Sequence, residues 1–211
     1  MTASHGTFEK IFCVGLNKTG TTSLALALRR LGLRVGDQDV AELLIDSWME
    51  RDFAPIIAHC ASADAFQDIP FSLDYTYQAV DQAFPGSKFI LTVRESPEAW
   101  FQSLVRFHSR MFGNGRLPTA ADLRAARYRY EGWVLKAVQS MFSVAEESLY
   151  DERLLVGRYR EHNEMIRRYF WARPGDLLEL DLRQDDSMQR LCEFLGLPAA
   201  EEKMPWVNRT N

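Results

Sequence analysis

A short glycine-rich segment, GLNKTGTTS at residues 15–23, has the residue types and spacing that suit the binding of an anion. It follows an apolar run, residues 10–14, that predicts a buried strand, and it leads into residues 22–32, whose leucine spacing predicts a helix. The N–H groups of such a loop and of the helix N-terminus attract phosphate groups. Gly15 and Gly20 let the backbone turn sharply and approach the anion. The alternative is an ordinary strand-to-helix turn with a threonine as N-cap.

The lysine of this segment stands at an uncommon place for a nucleotide-binding loop. The usual nucleoside-triphosphate pattern, GxxxxGK[ST], has its lysine directly after the second glycine. Here Thr21 occupies that position and the lysine is Lys18. A lysine moved in this way still supplies a positive charge, but to a different oxygen of the ligand. The sequence therefore predicts an anion site that differs from the common triphosphate loop.

A strand followed by a helix is predicted in KFILTVRESPEAWFQS, residues 88–103. Its first part predicts a strand that ends at Arg94, and Ser96 with Pro97 predicts the N-cap and first position of a helix. Ser103 follows Ser96 by seven residues, so it lies on the helix face that begins beside Arg94. The bland interpretation is that Arg94 caps the strand and pairs with Glu95 or Glu98, and that Ser103 is a helix-surface residue.

Short apolar runs alternate with helical patterns along the rest of the chain. The predicted strands are residues 10–14, 33–35, 63–68, 88–93 and 176–180. The main predicted helices are residues 22–32, 40–51, 97–112, 120–150, 152–171 and 188–195. This alternation is typical of βαβ units. The sequence therefore predicts an α/β fold with about five parallel strands and helices on both faces.

The loop and this second segment together resemble two signatures of sulfotransferases that use 3′-phosphoadenosine 5′-phosphosulfate (PAPS), in particular the compact, mostly bacterial ones. The string NKTGTT, residues 17–22, is similar to the PKSGTT loop of that family, and Arg94 with Ser103 is similar to its second signature. The resemblance extends from about residue 10 to the end of the chain. It implies a P-loop NTPase-like three-layer fold in a single domain, residues 1–211, with a helical acceptor or lid region at about residues 104–172.

The resemblance also implies roles for individual residues. The loop would hold the 5′-phosphosulfate, with Lys18 on the bridging oxygen of the leaving group. Arg94 and Ser103 would bind the 3′-phosphate, and two residues of the C-terminal tail, Asn208 and Arg209, are candidates for the same task. The full set expected to bind the nucleotide is Asn17, Lys18, Thr19, Gly20, Thr21, Thr22, Ser23, Arg94, Ser103, Asn208 and Arg209.

The same resemblance suggests Asp68 as the catalytic base. Cytosolic relatives have a histidine in a His-x-Pro context at this place, where this chain has Asp68-Ile69-Pro70. Two other interpretations stay open. An aspartate at a strand end near a phosphate loop is also typical of a magnesium ligand. The third possibility is a structural role, as a helix cap or a partner of Arg94.

Composition excludes several broad classes of protein. The chain has 211 residues with 46% hydrophobic and 26% charged residues, an ordinary globular balance. The net charge of −4 argues against bulk binding of nucleic acid or of an anionic membrane. No apolar run is long enough for a membrane span and no secretory signal is recognisable. Cys13, Cys60 and Cys192 form no disulfide or zinc pattern, which favours a reducing cytoplasm.

The leading hypothesis is sulfuryl transfer from PAPS to a hydroxyl or amine of a small molecule, with release of 3′,5′-bisphosphoadenosine (PAP) and no metal requirement. A kinase or hydrolase using magnesium and ATP or GTP is the first alternative. A non-catalytic nucleotide-binding protein is the second. The acceptor lies in variable loops and is not predicted, and neither is the oligomeric state.

Overall fold

The computed structural model describes residues 8–200, 202–205 and 207. These residues divide into two compact units. Residues 8–93 and 163–207 form one, which we call the sheet unit, and residues 94–162 form the other, the helical unit. The expectation of one domain with a helical region at about residues 104–172 stays a prediction.

Within the described residues, one parallel sheet of four strands forms the centre of the sheet unit. The strands are β1 (Ile11–Cys13), β2 (Ala65–Phe66), β3 (Lys88–Thr92) and β4 (Leu177–Leu180), in the order β2-β1-β3-β4. Phe12 is paired with Phe66 on one side and with Phe89 on the other. Because all four strands are parallel, their carboxyl ends lie at the same edge, where open α/β sheets bind ligands.

The prediction of five strands is wrong, because residues 33–35 form no strand. Val35 makes a single parallel bridge with Ala65 and the pairing goes no further. The backbone N–H of Arg34 donates instead to the carboxylate of Asp64, at 2.9 Å. A side chain thus takes a donor that a strand would present to its neighbour, and the α/β prediction holds with four strands.

Most of the helices follow the predicted order with different bounds, and those at residues 54–59 and 76–83 were not predicted. They are α1 (Thr21–Arg30), α2 (Gln38–Glu42), α3 (Ile45–Met49), α4 (Ala54–His59), α5 (Thr76–Ala83), α6 (Pro97–Phe112), α7 (Ala120–Ala125), α8 (Trp133–Phe142), α9 (Glu152–Tyr169) and α10 (Ser187–Leu195). The predicted helix at 40–51 is two short helices, and the one at 120–150 is α7, α8 and a 3-10 turn at Glu146–Ser148. The boundary between the two units falls within α9, between residues 162 and 163.

Alternating side chains of β1 supply both faces of the sheet unit with core residues. Ile11 and Cys13 belong to the cluster that includes Leu24 of α1 and Leu191 of α10. Phe12 faces the opposite side. Its ring contacts the aromatic rings of Phe66, Phe71, Phe84 and Phe89, with ring centroids 5.5–6.1 Å apart. Apolar side chains buried in this way each contribute about 1.5–3 kcal/mol, so β1 is fixed from both sides.

The helical unit is organised around α6. Ser96 caps this helix by accepting a hydrogen bond from Ala99 N at 3.0 Å, and Pro97 is its first residue, so the predicted bounds are confirmed. One turn later, Trp100 is fully buried between Tyr159 and Phe142, with ring centroids 4.7 Å and 5.6 Å away. A local cap and a large aromatic anchor therefore fix the start of α6.

Candidate active site

Gly15 places the loop after β1 directly against the end of β3. A Cβ atom built on Gly15 would lie 2.2 Å from the Oγ1 atom of Thr92 and 2.5 Å from its carbonyl oxygen. No real side chain is accommodated at these distances. Glycine at this position is therefore required by the close approach of two backbones, which gives the predicted glycine a definite reason.

A chain of three buried polar side chains holds the loop in place. The Oγ1 hydroxyl of Thr19 donates to the carbonyl oxygen of Leu16 at 2.5 Å and lies 2.6 Å from the hydroxyl of Thr92. Because Thr19 donates its hydroxyl proton to Leu16, Thr92 is the donor in the second hydrogen bond. The Sγ atom of Cys13 lies 3.7 Å from the same Thr92 hydroxyl, and burial raises the pKa of this thiol to about 12. Cys13 is therefore a neutral structural thiol.

The turn into α1 has the geometry expected of an anion site. Lys18 and Gly20 both have positive φ, 66° and 105°, and Gly20 is the N-cap. The alternative of a threonine N-cap is wrong, because Gly20 has no side chain to cap with. The first hydrogen bond of the helix runs from Leu24 N to Gly20 O at 3.0 Å. The N–H groups of residues 21–23 thus precede the helical ladder and carry the positive end of its dipole.

Asp68 lies two residues after β2 and contacts this turn. Its Oδ2 atom accepts a hydrogen bond from the Thr21 hydroxyl at 3.0 Å, and its Oδ1 atom accepts one from Ile69 N at 2.9 Å. Burial raises the pKa of the Asp68 carboxyl above its ordinary value. The two hydrogen bonds and the positive charge of Lys18 act in the opposite direction. The structure therefore brings together Lys18, Thr21 and Asp68, three of the predicted site residues.

The remaining loop residues are placed as follows. Ser23 is buried, and its hydroxyl accepts a hydrogen bond from Val207 N at 3.1 Å, which brings the described end of the tail to α1. Thr22 is exposed and Asn17 is half-buried. Asn208 and Arg209 lie outside the described residues, so their predicted role stays a prediction.

In the helical unit, Arg94 and Ser103 meet as the spacing predicts. The Nη2 atom of Arg94 donates to the Oγ atom of Ser103 at 2.9 Å, and Ser103 is fully buried. The backbone N–H of Arg94 donates to the hydroxyl of Tyr159 at 3.0 Å. Glu98, one of the proposed alternative partners of Arg94, accepts a hydrogen bond from Arg160 at 2.6 Å. The phosphate-binding role of the pair stays a prediction.

Sequence reasoning missed two residues that support these sites. Thr92 had a detectable signal, because it is a hydroxyl residue inside the apolar run KFILTV and is fully buried. Tyr159 had none, because in sequence it reads as one of many aromatic residues on a helix. Its ring packs on Trp100, which aims its hydroxyl at the backbone of Arg94.

With this geometry in view, a comparison with protein families is decisive. Residues 10–211 match the family described as "Sulfotransferase domain". The chain belongs to this sulfotransferase family. The resemblance inferred from the two motifs is thereby confirmed over essentially the whole chain, and the protein is a transferase by family. A comparison with curated proteins finds no match.

Two further properties of the described residues bear on the sulfotransferase. No helix among them is long and apolar enough to cross a membrane. In the same residues, no group of three or more His, Cys, Asp or Glu side chains is arranged to hold a metal ion.

Proposed function

We propose that the protein transfers a sulfuryl group from PAPS to a hydroxyl or amine of a small-molecule acceptor and releases PAP. The observation that carries this proposal is the contact between the Lys18 loop and Asp68 in a chain of the sulfotransferase family. A cationic residue, a helix N-terminus and a carboxylate of raised pKa meet there. These are the groups that stabilise a leaving anion and accept a proton.

We assign the binding of PAPS to the predicted residues of each unit in turn. In the sheet unit, the loop N–H groups and Lys18 bind the phosphosulfate, and Lys18 stabilises the charge that develops on the bridging oxygen. In the helical unit, Arg94 and Ser103 bind the 3′-phosphate through the fork and the hydroxyl. The tail residues Asn208 and Arg209 are further candidates for this phosphate.

Asp68 is the proposed base. As the acceptor oxygen forms its bond to sulfur, the acceptor O–H proton passes to the Asp68 carboxylate. The bond between sulfur and the bridging oxygen breaks, and its electron pair leaves with PAP beside Lys18. The raised pKa of Asp68 makes it a better proton acceptor than an ordinary aspartate. No metal is needed in this scheme.

We place the protein in the cytoplasm. Its three cysteines are all free and buried, which suits a reducing compartment.

The donor proposal is tested by isothermal titration calorimetry with PAP in EDTA, beside ADP in EDTA and ATP with magnesium. We expect micromolar binding of PAP and much weaker binding of metal-free ADP. Radiolabelled PAPS and a panel of phenols, alcohols and amines then identify the acceptor. Tight magnesium-dependent ATP binding without preference for PAP would overturn the proposal and make Asp68 a metal ligand.

A further inference from the structure

The side chain of Gln38, on α2, is hydrogen-bonded to both chain neighbours of Asp68. Its Oε1 atom accepts a hydrogen bond from Gln67 Nε2 at 3.0 Å. Its Nε2 atom donates to the carbonyl oxygen of Ile69 at 2.9 Å. One amide therefore holds the residue before Asp68 through its side chain and the residue after Asp68 through its backbone.

The direction of these bonds follows from the chemistry of the partners. The Nε2 atom of Gln38 also lies 3.4 Å from the Oε1 atom of Glu42, one turn further along α2. The carbonyl oxygen of Ile69 and the carboxylate of Glu42 are acceptors only. A flipped amide would place its oxygen against both, so only one orientation satisfies the network. Glu42 is buried, which keeps this end of the hydrogen-bond network away from solvent.

Asp68 needs such support because its backbone is strained. Its φ is 59°, in the left-handed region that non-glycine residues rarely adopt, at a cost of about 1–3 kcal/mol. The same residue accepts a hydrogen bond from Ser72 N on its carbonyl oxygen, at 2.9 Å. The carboxylate reaches Thr21 only while this conformation is kept, so whatever holds residues 67 and 69 also sets the position of the carboxylate.

We propose that Gln38 is a positioning residue for Asp68, which it holds against Thr21 by clamping residues 67 and 69. Gln38 does not itself touch the reacting atoms. The inference deepens the proposed function, since it rests on Asp68 as the base.

The clamp has two consequences that a purely structural contact lacks. Without it, the carboxylate leaves Thr21 and loses hydrogen bonds that favour its charged form, so the pKa of Asp68 rises further. Lys18 is the charged group that acts on this carboxylate, beside the hydrogen bonds from the Thr21 hydroxyl and Ile69 N, and none of these residues is changed by a substitution at Gln38. Glu42 lies on the far side of Gln38. The proton acceptor is also displaced from its working geometry, which lowers kcat rather than nucleotide affinity.

Gln38→Met tests the clamp, because methionine has a similar length and no amide. We expect kcat to fall about 10- to 100-fold, with the Kd for PAP unchanged and the rising limb of the pH–rate profile moved to higher pH. Gln189→Met is the matched control. Gln189 makes the same kind of bond to a glutamate four residues on, Glu193, at 2.7 Å on the exposed face of α10. This control is expected to leave kcat and the pH profile unchanged.

The double variant Gln38→Glu, Glu42→Gln separates the two ends of the clamp. It keeps an acceptor for Gln67 and a bond between positions 38 and 42, but it removes the donor to the carbonyl oxygen of Ile69. We expect it to retain most of the kcat defect. Full recovery, or a Gln38→Met protein that differs from wild type only in melting temperature, would overturn the proposal.

A readout that needs no turnover keeps this inference apart from the proposed function. Carbon-13 NMR titration of the Asp68 carboxyl and hydrogen exchange at Ile69 N–H report directly on the clamp. We expect a higher pKa of Asp68 and faster exchange at Ile69 in Gln38→Met. If both are unchanged, Gln38 does not position Asp68. If both change but Asp68→Asn stays fully active, the clamp stands and the assignment of the base fails.

Discussion

The loop at residues 15–23 and the start of α6 are both candidate phosphate sites, but they are built in different ways. The loop depends on contacts between residues far apart in sequence, since Thr19 bonds Thr92 and Thr21 bonds Asp68. The start of α6 is mostly local, because Ser96 caps its own helix and Arg94 reaches Ser103 nine residues on, with Tyr159 as a distant support. A site made from neighbouring residues is set by helix geometry, whereas the loop exists only once the sheet has formed.

The largest expected effect is on turnover, at Asp68. Asp68→Asn removes the proton acceptor and is expected to lower kcat by about 10²- to 10⁴-fold. Asparagine still offers an oxygen to Ile69 N–H and an amide to the Thr21 hydroxyl. Steady-state kinetics with labelled PAPS measures the loss. Asp185→Asn is the control, because that carboxylate is 98% exposed.

The same variant tests the raised pKa of Asp68 through stability. A carboxyl whose pKa is higher in the folded state stabilises the fold below its unfolded pKa, near 3.8, and that contribution is lost as pH rises through the folded pKa. We therefore expect Asp68→Asn to be at least as stable as wild type at pH 7, with the difference vanishing at acid pH. Denaturant melts at several pH values check this. A less stable variant at pH 7 would contradict it.

The next effect is at Lys18. Lys18→Ala is expected to lower kcat by about 10²- to 10³-fold, because a charge that stabilises the leaving group is lost. Lys203→Ala is the control, since that side chain is 88% exposed. Equal activity of the two variants would show that the loop takes no part in the chemistry. The start of α6 would then be the more informative of the two sites.

A smaller and more selective effect is expected at Arg94. PAP and adenosine 5′-monophosphate differ only by the 3′-phosphate, so Arg94→Ala should weaken PAP about 10- to 100-fold, as loss of a charge-assisted bond predicts. Binding of the monophosphate should not change. Arg160→Ala, an exposed arginine of the same unit, is the control. Equal weakening of both nucleotides would show that Arg94 does not recognise the 3′-phosphate.

A substitution at Gly15 tests how strongly the loop depends on its contact with β3. Gly15→Ala places a methyl group against Thr92 and is expected to lower the free energy of unfolding by about 1–3 kcal/mol. Gly157→Ala is the control, because its Cβ meets nothing within 4 Å in α9, and it should raise stability by about 0.5–1 kcal/mol. Chemical denaturation measures both. A neutral Gly15→Ala would mean that the loop does not press on β3 in solution.

The smallest expected effect is at the local site. Ser96→Ala removes the cap of α6 and is expected to lower the free energy of unfolding by about 1 kcal/mol. Binding of PAP should weaken only slightly, because the helix persists. A loss of PAP affinity as large as that of Arg94→Ala would show that the cap itself forms part of the phosphate site.

How far the sequence was informative depended on the range of the contacts. The bounds of α6 and the meeting of Arg94 with Ser103 were predictable, because Ser96 and Pro97 mark the start of the helix just after Arg94 and Ser103 lies on the helix face that begins there. The absence of a strand at residues 33–35 was not, because the carboxylate of Asp64 takes the N–H of Arg34. The bond between Thr21 and Asp68 joins positions 47 apart, and no local pattern encodes it.

The sequence by itself determined the parallel α/β fold, the glycine-rich loop after β1, the α6 cap and membership of the sulfotransferase family. Each depends on local patterns of glycine, proline and apolar residues, or on motifs a few residues long. The tertiary structure decided the rest. The close approach of β1 and β3 explains why Gly15 must be glycine and why Thr92 matters. The end of β2 and the start of α2 bring the two chain neighbours of Asp68 within hydrogen-bonding distance of Gln38. These depend on which strands become neighbours, because adjacency in the sheet places distant residues within hydrogen-bonding distance.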